Sequence, residues 1–310
     1  MRKVSIIIAT YNCANYISAA IDSVIYQTCQ DFEIIIIDDG STDNTRQIID
    51  KYIEIHDNIK YLYQNNKGLA VARNLGFTLV EAEYSAFLDA DDMWFPDRLE
   101  VGVNILDNDL NVGLVHANDV MINEEGEFII RKEKRNTKLL SGNIAKNLLF
   151  RKIHIRGGTV LFRTTCLDKV GVLDENLTRL GVEDRDLWYR ISLNYNVQFV
   201  DKTIAYYRIR QNSLSKDYHK MMEGRLYLID KYYPPSKLNK SIRKKLLSSL
   251  FYHVAKGELW NNKFEDAAAN FIIALKYKPF KISSYLYLVK MFIKKFYISI
   301  INLMVLKLIN

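Results

Sequence analysis

Phe87-Leu88-Asp89-Ala90-Asp91-Asp92-Met93-Trp94 places three carboxylates directly after an apolar run that reads as the end of a strand. Acids packed this closely repel one another and are costly to desolvate unless a cation sits among them. In an extended segment Asp89 and Asp91 point to one face, about 6–7 Å apart along the chain. That is wide for two ligands clamping one ion. It suits one acid on a divalent metal and the other on a neighbouring hydroxyl. Hard oxygen ligands favour Mg or Mn, with substrate phosphates completing the shell. A helix cap after the strand is the competing reading, because Asp is common there.

The residues before this stretch alternate regularly. Val4–Ala9 is a continuous β-branched run, Phe32–Ile37 a second, Tyr61–Tyr63 a short third and Ser85–Leu88 a fourth. Between them Asn15–Tyr26, Thr45–Ile55 and Leu69–Glu81 have helical spacing. Ser41, Thr42 or Asp43 caps the second helix and Gly68 opens the third. Strands apolar on both faces, alternating with helices, predict an α/β fold with a mostly parallel sheet covered on both sides. Right-handed crossovers bring the carboxyl ends of the strands to one edge, where ligands bind. The residues at those ends are polar: Thr10-Tyr11-Asn12, Asp38-Asp39-Gly40-Ser41, Asn65-Asn66-Lys67-Gly68, and Asp89 with Asp91. No GxGxxG follows the first strand and no GxxxxGK[ST] occurs, so phosphate is met by a metal and by side chains. Arg73, in the first turn after Gly68, is a candidate.

Residues 95 to 215 are mixed. Pro96 opens a helix through Leu106, and Val112–Ala117 and Glu127–Ile130 read as strands. Gly157-Gly158 before Thr159–Phe162 suggests close backbone approach to a ligand, or a bulge. Gly181-Val182-Glu183-Asp184 precedes a helix, Arg185–Leu193, and Val197–Val200 and Ile204–Ile209 read as two closing strands. From about 216 Lys and Tyr dominate and the spacing turns helical, with a hairpin of Leu247–Leu259 and Phe264–Leu275. Two regions result, 1–215 and a helical 216–310.

With 310 residues, 49% of them apolar, the chain can bury a real core. Its net charge of +7 favours anionic partners. No base-reading module occurs, so nucleic acid is not expected among them. Cys13, Cys29 and Cys166 form no CxxC pair, which predicts reduced thiols and a cytoplasmic setting. The five histidines lack zinc spacing. The apolar run Val4–Ala9 is too short for a signal sequence. Lys281–Asn310 carries Tyr285, Leu286, Leu288, Val289, Phe292, Ile293 and Phe296 at near-helical spacing, interrupted by lysines. That pattern predicts a basic amphipathic helix on an anionic membrane surface, the inner face of the cell membrane, rather than a span. Packing on the protein itself is the alternative.

Five segments together resemble glycosyltransferase family 2, the inverting nucleotide-sugar transferases of GT-A fold. They are Val4–Asn12, Ile36–Asp43, Asn66–Asn74, Leu88–Asp92, and Glu183-Asp184 before Leu187-Trp188. The resemblance covers roughly residues 1–215. It implies a Rossmann-like sheet flanked by helices, extended here by the C-terminal helices. It also implies roles. Thr10 and Tyr11 match the nucleoside-contacting turn, Asp39 the acid that bonds the base, and Gly68 and Arg73 the diphosphate contacts. Asp89 matches the acid near the ribose, Asp91 the ligand of Mn or Mg, and Asp184 the catalytic base. Glu183, Trp188 and Arg210 are expected at the acceptor or the phosphates. The donor is then a nucleotide-sugar, most simply a UDP-sugar, and the acceptor a saccharide or lipid-linked saccharide. One segment departs: Tyr207-Arg208-Ile209-Arg210 puts arginine where the family often has a metal-supporting histidine, and arginine cannot ligate a metal.

Two other functions compete. A nucleotidyltransferase on a similar sheet wants a basic Gly-rich loop after the first strand, and Thr10–Asn15 has no basic residue. A sugar-nucleotide-binding module without catalysis would have no need of Asp184.

Overall fold

The computed structural model describes residues 2–129, 140–150, 152–211, 217–236, 238–280 and 282–290. The chain divides into two compact units, Met1–Lys216 and Asp217–Asn310.

The first unit begins β1 (Val4–Thr10), α1 (Ile17–Ile25), β2 (Phe32–Asp38), α2 (Thr45–Ile53), β3 (Ile59–Tyr63), α3 (Leu69–Phe77) and β4 (Tyr84–Phe87). These four strands pair in parallel in the order β3-β2-β1-β4. Isoleucine runs build a sheet buried on both faces, since alternate side chains leave opposite sides. Ile6, Ile8, Ile34 and Ile36 pack with Ile17, Ile21 and Val24 of α1 and Ile49 of α2. Ile7, Ile35 and Ile37 pack on the other side with Ala70 and Ala72 of α3. Gly76 brings α3 close to β1, where a Cβ would lie 2.7 Å from Ile7 Cγ2. The register pairs Thr10 with Asp38 and Ile7 with Phe87, so the polar loops after β1, β2 and β4 emerge at one edge.

The second half of the unit is mixed. It comprises β5 (Met93–Trp94), α4 (Arg98–Asn108), β6 (Val112–Ile122), β7 (Phe128–Ile129), α5 (Ala145–Leu149), β8 (Leu161–Arg163), α6 (Cys166–Val170), α7 (Glu183–Ser192) and β9 (Asn196–Arg208). The sheet continues β4-β8-β6-β9-β5, with β8 antiparallel to both neighbours. The two expected closing strands are one, β9. Its register against β6 shifts around Asn118, and that irregularity takes up the polar Asp201-Lys202-Thr203 that looked like a break. The two-residue β5 escaped the sequence pattern; it is held antiparallel to β9 by Met93 opposite Tyr206.

The second unit contains α8 (Tyr218–Tyr232), α9 (Lys240–Trp260) and α10 (Phe264–Tyr277). The helices α9 and α10 form the expected hairpin, each longer than its apolar core. Its turn uses Asn262 at φ 59°, and Ala255, Ala267 and Phe271 fill the contact. Residues 282–290 are helical. The remainder of the expected amphipathic helix lies outside the described residues. Among the described residues no helix is long and apolar enough to cross a membrane.

Candidate active site

The edge formed by β1, β2 and β3 holds a cleft of about 300 Å³, lined by Thr10, Tyr11, Asp39, Asn66, Gly68 and Arg179 among others. Hydrogen bonds knit its loops. Asn12 sits at φ 51°, its N–H donates to Ser41 Oγ (3.0 Å), and its Oδ1 accepts from the Thr42 N–H (2.7 Å). The Asp39 carboxylate accepts from Gln64 Nε2 (2.6 Å) and from the N–H groups of Lys67 and Gly68 (2.8 Å each). It therefore anchors the loop before α3. A carboxylate has about four acceptor positions, so one remains for a ligand. Gly68 is required: its φ is +95°, and a Cβ would lie 2.6 Å from Thr178 Oγ1. Tyr11 is half exposed and lines the cleft.

The acidic stretch is a turn, not the extended segment expected. The Asp92 N–H donates to the Asp89 carbonyl (3.0 Å), which reverses the chain between β4 and β5. The three carboxylates consequently face three different partners. Asp89 pairs with Arg73 Nη2 at 2.6 Å. Asp91 pairs with Arg210 Nε at 2.6 Å. Asp92 is buried and accepts from the Arg208 N–H at 2.7 Å. Arg208 Nε also donates to the Asp91 carbonyl (2.8 Å), and both guanidinium groups lie over the Tyr16 ring. Burial, then the charge of Asp89, pushes the Asp91 carboxyl above the usual range, and Asp92 well above it.

Arg73 joins this turn to the start of α7. Only 3% exposed and stacked 4.5 Å over the Phe87 ring, it contacts Asp89 and, at 3.5 Å, Glu183. Its foremost role is thus to bridge two acids. Burial, then the neighbouring Asp184, lifts Glu183 to about 7. Burial raises Asp184 as well, against the pull of Arg73 and Arg185. Asp184 Oδ1 accepts from the Arg185 N–H (2.6 Å). The glycine pair approaches the acids rather than bulging: added Cβ atoms would lie 3.8 Å from Asp184 Oδ2 at Gly157 and 3.8 Å from Asp92 Oδ2 at Gly158.

Trp188 is not at the surface expected of an acceptor contact. It is 1% exposed and packs against Phe87 and Phe162 at 5.8 and 5.5 Å between ring centroids. Its position on α7 faces the sheet, so its apolar bulk fills the core. Glu183 is likewise buried, on Arg73. Arg179 was unforeseen. It lines the cleft at φ 65° and donates to Asn66 Oδ1 (3.0 Å), from a loop with no pattern to mark it.

Among the described residues no three His, Cys, Asp or Glu side chains cluster as a metal cage. The donor chemistry nonetheless fits a hard divalent cation. Asp91 offers carboxylate oxygen on the turn after β4, and Mg or Mn is commonly held by one or two carboxylates plus substrate phosphates.

Comparison with known proteins gives the same neighbourhood. The profile "Glycosyl transferase family 2" matches residues 5–171. An uncharacterized glycosyltransferase of Nostoc is 36% identical over 67% of this chain and 65% of its own length. The Escherichia coli UDP-Glc:alpha-D-GlcNAc-diphosphoundecaprenol beta-1,3-glucosyltransferase WfaP is 33% identical over 69% of this chain and 80% of its own. The match to uncharacterized glycosyltransferases of Rickettsia felis and Rickettsia conorii spans only about a third of those longer chains. Among solved structures, S. aureus TarS 1–349 in complex with UDP-GlcNAc aligns with a TM-score of 0.61 at 20% identity, over 89% of this chain and 80% of that one. The mannosyltransferase PcManGT of Pyrobaculum calidifontis, with GDP-Man and Mn2+, gives 0.62 at 18%, over 94% and 86%.

Proposed function

The chain belongs to glycosyl transferase family 2, and we propose that it moves a sugar from a UDP-sugar to an acceptor hydroxyl with inversion at the anomeric carbon. The observation that carries this reading is the Arg73 bridge, which ties the acidic turn after β4 to Glu183 beside Asp184. A donor cleft and a carboxylate poised as a base thereby share one edge of the sheet.

The family motifs support the following roles. Tyr11 stacks on the base, with Thr10 beside it. The spare acceptor position of Asp39 takes a base N–H. The Gly68 turn leaves room for the diphosphate, and Asp89 reaches the ribose. Asp91 holds the divalent cation, Mn or Mg. When bound, such an ion would supply charge neutralisation for the departing diphosphate. Asp184 removes the acceptor's proton as the hydroxyl attacks from the face opposite the leaving group. A single displacement inverts the anomeric configuration and needs no enzyme nucleophile. Structural neighbours named with UDP-GlcNAc and GDP-Man support a nucleotide-sugar donor, and Mn2+ in the latter supports the ion. The name of WfaP supports hexosyl or N-acetylhexosaminyl transfer to a saccharide carried on a lipid diphosphate. A cytoplasmic enzyme held at the inner membrane face by its basic C-terminal segment would meet such an acceptor.

The test is a screen of UDP- and GDP-sugars for nucleoside diphosphate release, with and without Mn, in the presence of lipid-linked saccharides. Release from a UDP-sugar that needs both Mn and acceptor supports the reading. No release from any donor overturns it.

A further inference from the structure

Asp91 does not wait for a cation; it already has one. Arg210 Nε lies 2.6 Å from its Oδ2, with the Asp91 side chain 17% exposed and that of Arg210 31%. The guanidinium is held over Tyr16 and lies near the Cys13 thiol. Each acid of the turn has its own positive or N–H partner: Asp89 has Arg73, Asp92 has the Arg208 N–H, and Asp91 has Arg210. The Arg73 partner is buried and bridged to a second acid. Arg210 is the more exposed of the two arginines and lies two residues past the end of β9.

Building on the reading of Asp91 as the ion's ligand, we propose that Arg210 is a resident counter-cation that makes divalent-ion binding conditional on the nucleotide diphosphate. Two cations on one partly buried carboxylate repel at short range. A divalent ion arriving alone must displace the ion pair and leave the guanidinium facing the ion's own charge. A diphosphate changes that balance. It brings the negative charge that a planar guanidinium binds well, so Arg210 can turn from Asp91 to phosphate oxygen and release the carboxylate. Arginine at this position is then a positioning residue. It costs ion affinity in the empty enzyme and returns it when donor arrives. A histidine there would have no such effect, because it would assist the ion directly.

The experiment titrates the full chain with Mn2+, read by the electron paramagnetic resonance signal of free ion, with and without UDP. UDP should tighten Mn binding at least ~10-fold, and Mn should tighten UDP by the same factor, as linkage requires. Arg210→Gln and Arg210→Ala should each bind Mn alone ~10-fold tighter than the parent and show a correspondingly smaller UDP effect. Arg210→Lys, which keeps the charge, should retain it. If Arg210→Gln and Arg210→Ala bind Mn alone no tighter than the parent while Mn and UDP still bind together, the proposal is wrong and the ion site stands. If Asp91→Ala binds Mn with UDP as well as the parent does, the ion site itself is misassigned, and the proposal falls with it.

Discussion

Asp184 shows how a single side chain carries two demands. As a base it must be ionised, yet burial raises its pKa and places it next to Glu183, itself lifted to about 7. After burial, the charge of Asp184 is the next reason the Glu183 carboxyl is raised. Turnover should therefore fall, as pH drops, at a pH above the range of an ordinary aspartate, in a profile of kcat/KM against pH. An acid limb near 4 would contradict this. Asp184→Asn should lower turnover by roughly 10²–10⁴-fold and leave UDP affinity, measured by calorimetry with Mn, little changed. Glu183 also marks stability. Its folded pKa exceeds the ordinary value of 4.5, so the folded state binds its proton more tightly, and stability falls as pH rises from there to about 7. Glu183→Gln should remove that fall, and denaturation midpoints across the window should show it. Equal slopes in parent and variant would mean that Arg73 already neutralises Glu183. At this scale the acids were legible because of their type and spacing. Their partners were not: which arginine meets which acid depends on a turn, closed by Asp92 N–H to Asp89 carbonyl, that no periodicity encodes.

Elements were legible in proportion to their apolar regularity. The strands β1 and β2 and the helices α1 to α3 read directly, because a strand buried on both faces must be apolar throughout. The short β5 and the irregular β9 did not. Their partners are distant in sequence, and Met93 opposite Tyr206 is a pairing that only the folded sheet supplies. The 3-10 turn at Gly157–Thr159 lies between these cases. Its glycines were flagged, but the approach they permit is to Asp184 and Asp92. A Cβ at Gly157 would make ordinary contact, 3.8 Å from Asp184 Oδ2, so Gly157→Ala should fold normally. It should raise the KM for acceptor several-fold by narrowing the space beside the base, with UDP affinity unaltered. Unchanged acceptor kinetics would place the acceptor elsewhere.

The chain divides into two compact units, Met1–Lys216, which holds the family 2 match, and Asp217–Asn310, whose described residues include α8, α9 and α10. The excess of positive charge gives the tail its proposed work. Deleting Lys281–Asn310 should abolish sedimentation with anionic liposomes and spare UDP binding. Sedimentation that survives the deletion, or that high salt leaves untouched, would place membrane contact elsewhere. The proposed reaction is a single displacement on a UDP-sugar by the acceptor hydroxyl, with Asp184 as its base. The most direct test is proton NMR of the product formed by the full chain from an α-linked UDP-sugar and its acceptor, with Mn present. A β-linked product is the predicted result; an α-linked product would contradict the account.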